Sequence, residues 1–99
     1  MIEQLDKTYE QLKKLRNNAN TQEEFEKIRS QMDKINVQRQ SIIGASINEA
    51  TQEYKAATAE IQNAQPLIES AINDLNKITD AITKVSKVIS QVEKVLVNV

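Results

Sequence analysis

Residues 47–99 read INEATQEYKAATAEIQNAQPLIESAINDLNKITDAITKVSKVISQVEKVLVNV, and the spacing of their apolar side chains decides the fold. Ile47, Ala50, Tyr54, Ala57, Ile61, Ala64, Ile68, Ala71, Leu75, Ile78, Ile82, Val85, Ile89, Val92, Leu96 and Val99 follow one another at steps of 3 and 4 without a miss. Such steps return to one face of an α-helix, and the rhythm outlasts the three or four heptads that mark a coiled-coil seam. The pattern predicts one long helix.

Two positions test that prediction. Pro66 removes a backbone hydrogen bond and crowds the preceding turn, at a cost of about 3 kcal/mol in a helix interior. Ala64 and Ile68 nevertheless keep the seam in phase across it, which predicts a kink rather than a loop. Proline also suits the first turn of a new helix and biases Gln65 away from helical dihedrals, so a turn near 65 is the alternative. Upstream, the heptad phase slips by one residue between Ile42 and Ile47, beside Gly44, where a bend or a change of supercoil takes up the difference.

Toward the N-terminus, Phe25, Ile28, Met32, Ile35, Arg39 and Ile42 continue one helical face. Arg39 interrupts it, either carrying its head to water over a buried stem or holding a register-setting ion pair. Thr21 with Glu24 reads as a capping box that starts this helix. Asn17, Asn18, Ala19 and Asn20 precede it as a break. Before the break, Ile2, Leu5, Tyr9, Leu12 and Leu15 form a face, with Glu3/Lys7 and Glu10/Lys14 in the favoured acid-first order. The expected architecture is an all-α single domain over 1–99. A short helix, 2–17, folds antiparallel onto one long, bent heptad coiled-coil helix, 22–99, with 44 as a candidate break and 66 as a kink. A compact four-helix bundle, turning near 18–21, 44 and 65, is the alternative.

The seam residues speak to packing. Ala50, Ala57, Ala64 and Ala71 repeat every seven residues and let two backbones approach closely, as antiparallel pairs do. Ile78, Val85, Val92 and Val99 then make the same stripe bulky. Leu67, Ala81, Val88 and Val95 widen it to three positions per heptad, more than a two-helix contact covers. Each large side chain left in water forgoes about 1.5–3 kcal/mol of burial, so residues 67–99 require a cover. With an extended helix the cover comes from identical or partner helices, and the expected interface is Ile61, Ile68, Leu75, Ile78, Ile82, Val85, Ile89, Val92 and Leu96.

Composition narrows the chemistry. Charged residues make up 27% of the chain but the net charge is -1, so the field that draws a nucleic acid is missing. Histidine and cysteine are absent, which removes the commonest general base, the thiolate nucleophile and the usual metal ligands. No catalytic residue, cofactor or metal is expected, and the chain does not read as an enzyme. Glu23, Glu24 and Glu26 sit in a first helical turn, where carboxylates complement the helix dipole, and Lys13, Lys14 and Arg16 close a last turn for the same reason. Lys77, Lys84, Lys87 and Lys94 lie opposite the apolar stripe and would suit an anionic bilayer surface, but Asp74, Asp80 and Glu93 offset them and no Trp anchors them. No stretch has the roughly 18 apolar residues of a membrane span and the first residues do not form a signal peptide, so the expected location is cytoplasmic, or exported without a cleaved signal.

The function expected is a non-catalytic assembly or adaptor module acting through coiled-coil contact with its own copy or another helical protein. Two alternatives accompany it: a membrane-active or pore-forming amphipathic helical protein, and a small helical inhibitor of a larger protein.

Overall fold

The computed structural model describes residues 1–97, which form four α-helices. Helix α1 (Ile2–Asn17) ends at Asn18, whose N–H closes the last turn on the Leu15 carbonyl at 3.1 Å, followed by the Ala19 N–H on the Arg16 carbonyl at 3.1 Å. Helix α2 (Gln22–Ile43) starts on Thr21, whose hydroxyl accepts the Glu24 N–H at 3.1 Å. The returning arm of the expected capping box lands one residue early: the Glu24 carboxylate accepts the N–H of Asn20 at 3.3 Å. Arg16 closes the turn by lying over the Phe25 ring.

The single long helix over 22–99 is not what forms, because the chain turns twice more within it. The first turn lies at the phase slip. Gly44 ends α2, Asn48 folds the loop by accepting the Ala50 N–H at 2.9 Å, and Thr51 caps α3 (Gln52–Asn73) by accepting the Tyr54 N–H at 3.2 Å. The second lies not at Pro66, which α3 passes through, but after Asn73. Asp74 is extended there, at φ -146° and ψ 101°, and its carboxylate accepts the Asn76 N–H at 3.1 Å. A 3-10 turn, Leu75–Lys77, then leads into α4 (Ile78–Val97). Of the turns in the bundle alternative, those at 18–21 and 44 are present and the one near 65 moves to 74–77. Val99, the last position of the expected seam, lies outside the described residues.

Packing follows from these turns. Helices α1 and α2 form one antiparallel hairpin, α3 and α4 form another with the most extensive contact of any helix pair, and the hairpins lie side by side with α1 on α3 and α2 on α4. The inter-hairpin pairs are parallel: Gln31 and Gln38 on α2 meet Ile82 and Ile89 on α4, each 51 residues on. The bundle measures 39 × 20 × 18 Å with a radius of gyration of 13.2 Å. One helix over 22–99 would be about 115 Å long at 1.5 Å per residue.

One core is shared by all four helices. Leu5, Leu12 and Leu15 meet Ile28, Met32 and Ile35 from the first hairpin, and Ala57, Ile61, Ala64, Ile68 and Ala71 meet Ile78, Ala81, Val85, Val88, Val92 and Val95 from the second. The thin alanine half of the expected seam and its thick valine half thus fold against each other. Arg39 stays inside the chain, pairing with Asp6 of α1 while its guanidinium lies 4.9 Å from the Tyr9 ring centroid.

Candidate interaction surface

The residues expected to form an interchain seam serve the chain's own core. Ile61, Ile68, Val85 and Val92 are fully buried and Ile78 nearly so, while Leu75, Ile82, Ile89 and Leu96 are half-buried against them. In α4 the buried line runs through Ile78, Ala81, Val85, Val88, Val92 and Val95, one position round from the expected seam. The reason is that α4 is covered on two sides, by α3 and by α2. Its apolar arc centres between them, and Ile82, Ile89 and Leu96 fall at the α2 edge.

That edge is built from glutamines. Gln31 donates its amide N–H to the Ile82 carbonyl at 2.7 Å and to the Ser86 hydroxyl at 3.0 Å. Gln38, one heptad on, donates to the Ile89 carbonyl at 2.9 Å and to the Glu93 carboxylate at 2.9 Å. Gln11 repeats the device between α1 and α3, donating to the Gln65 carbonyl and to Glu69. In each case one amide reaches a helix carbonyl and the side chain one turn later. The amide oxygens of Gln11, Gln31 and Gln38 are buried with no partner.

Above Gln31 and Gln38 an open groove separates α2 from α4. Outward positions on α2 are Lys27, Ser30, Lys34, Val37 and Ser41, at steps of 3, 4, 3 and 4; on α4 they are Thr79, Thr83, Ser86, Ser90, Glu93 and Val97, at steps of 4, 3, 4, 3 and 4. All are exposed. Each helix therefore carries a second heptad stripe outside the core, made mostly of short side chains that leave the groove shallow and smooth. Toward the 18–21 turn the groove is lined by Lys27, Lys34 and hydroxyls. Toward the 44–51 loop it is lined by Val37, Ala45 and Leu96. Val37 is 62% exposed, a large apolar exposure for a position beside a closed core, whereas the exposed Val97 lies with Glu53 of α3 rather than in this groove.

At that same end the bundle is closed by Tyr54, which donates its hydroxyl to the Glu49 carboxylate at 3.1 Å. Burial, together with the hydrogen bond and negative charge of Glu49, pushes the Tyr54 phenol above its ordinary value of 10.0. Within hairpins, ion pairs tie Asp6 to Arg39 and Glu60 to Lys84, the latter at 2.8 Å.

Chemically the groove offers positioned donors and acceptors and no reactive centre. Among the described residues no three His, Cys, Asp or Glu side chains gather where a metal ion would be held, and no helix is long and apolar enough to cross a membrane. Polar residues at heptad spacing are the ordinary solvated face of a helix, so the outward stripes are easily passed over in the sequence. Gln31 and Gln38 at a seven-residue interval, and Val37 off the seam, are the signals that mark them. Compared with known proteins, the chain matches no family model, no curated protein and no solved structure.

Proposed function

We propose that the chain is a non-catalytic interaction module that keeps its own core closed and binds a helix of a partner protein along the α2–α4 face. One observation supports this reading: two parallel helices present outward stripes in coiled-coil rhythm on either side of a groove lined by exposed Val37 and by Leu96, with the side chains of Gln31 and Gln38 at its floor. A helix laid there meets heptad-spaced positions on both neighbours, which is helix-in-groove recognition. Apolar area is covered without disturbing the core.

Selection of a displayed library of helical segments on the immobilised full-length chain tests the reading. The expected binders are amphipathic helices that lose binding to a Val37→Asp/Ser86→Arg variant, both sites being exposed and the variant keeping the wild-type helical circular dichroism. Binders that recognise the variant equally well place recognition elsewhere and overturn the reading. A mass of two chains for the free protein, abolished by the same variant, identifies the partner helix as that of a second copy.

A further inference from the structure

Resting on that reading of the α2–α4 face, we infer that the partner is an amphipathic helix divided along its contact face, acidic where it meets Lys27 and Lys34 and aliphatic where it meets Val37 and Leu96. The first half of the groove has no carboxylate in its lining. Lys27 is paired with Glu23 at 3.0 Å, whereas Lys34 carries no ion pair among the described residues. In the second half, the carboxylate of Glu93 is held by the Gln38 amide, and Val37 and Leu96 supply the apolar surface. A partner helix with lysines at the first half is opposed by like charge, and one with carboxylates at the second half sets them beside Glu93 and the aliphatics Val37 and Leu96.

The heptad spacing of the groove gives the register. Gln31 and Gln38, one heptad apart, hold α2 to α4 through the Ile82 and Ile89 carbonyls and line the groove's two halves. Seven residues of α-helix advance about 10.5 Å, so successive heptads of an added helix meet first the Lys34 half and then the Val37 half. An anionic bilayer would meet Lys34 but has no shape that enters a groove between two helices.

The test is a titration of the isotope-labelled full-length chain with two synthetic helices of about 20 residues. Both carry heptad-spaced leucines; one has glutamates on the first half of its contact face, the other lysines. The glutamate helix should bind, shift backbone amides in 27–37 and 82–96, and weaken about tenfold with Lys34→Glu or at high salt. Equal binding of the lysine helix at those same amides overturns the acidic assignment and leaves the interaction face standing. Shifts confined to other helices, or none with either peptide, overturn both. Lys34 is exposed, so the Lys34→Glu variant folds, and its thermal melt serves as the control.

Discussion

Gln38 is almost wholly buried, yet half of its hydrogen-bonding capacity is unused. A buried amide that donates twice and accepts nothing returns little net stability, since the orphaned oxygen has lost its water. Gln38→Leu should therefore change unfolding free energy by less than about 1 kcal/mol, whereas Ile35→Ala, which empties a fully buried site, should cost about 2–5 kcal/mol. Urea denaturation of both variants checks this; equal losses would mean that the glutamine bridges hold the hairpins together. Tyr54 makes a second prediction. Its phenol keeps its proton to a higher pH in the folded chain than in the unfolded one, so stability is intact below pH 10.0 and falls as pH rises from there through the raised value. Tyr54→Phe should flatten that alkaline limb in a pH series of melts. Arg39 shows what a seam residue conceals: its position off the apolar pattern was legible, but its partner Asp6 depends on how two helices are set, which no local pattern encodes.

At the scale of elements, the helix that matters is α3, which carries Pro66 through its interior. The missing hydrogen bond is a standing cost, so Pro66→Ala should raise the melting temperature, by an amount corresponding to at most about 3 kcal/mol. Gly44 ends α2 at φ -88°, a conformation open to any residue, and a Cβ there meets nothing nearer than the Ser41 carbonyl at 4.0 Å. Gly44→Ala should then stabilise by about 0.4–1 kcal/mol through the unfolded chain, measured by the same melts. The two residue types that most often break helices thus mark one real end and one false one. The helix starts at Ile2 and Gln22 and the Thr21 cap were legible because composition and phase change there together, while beside Gly44 the phase slip was legible but a bend and a turn satisfy it equally. The turn at 74–77 was not. Leu75 and Ile78 stay in phase with Ala71 across it, because α3 and α4 face the same core and a three-residue 3-10 turn returns the chain to that face. Asn73, Asp74 and Asn76 were the local signal, and Asp74 acts through the side-chain cap that such residues offer.

For the whole molecule, periodicity identified which residues are apolar and inward but not whose helix they face. An intramolecular cover and an intermolecular one satisfy the same heptads; the choice falls to the turns. Once the chain turns at 44–51 and 74–77, the stripe that demanded a partner is consumed inside, and the outer α2–α4 groove is the surface we propose for recognition. The hairpins are each closed by an apolar seam and an ion pair, while glutamine bridges are prominent between them. Small-angle X-ray scattering of the dilute full-length chain tests this self-covering bundle most directly. The account predicts a single chain of 11.2 kDa with a radius of gyration near 13.2 Å and a longest dimension near 39 Å, each raised slightly by hydration. A rod-like profile approaching the roughly 115 Å of a continuous helix would contradict it.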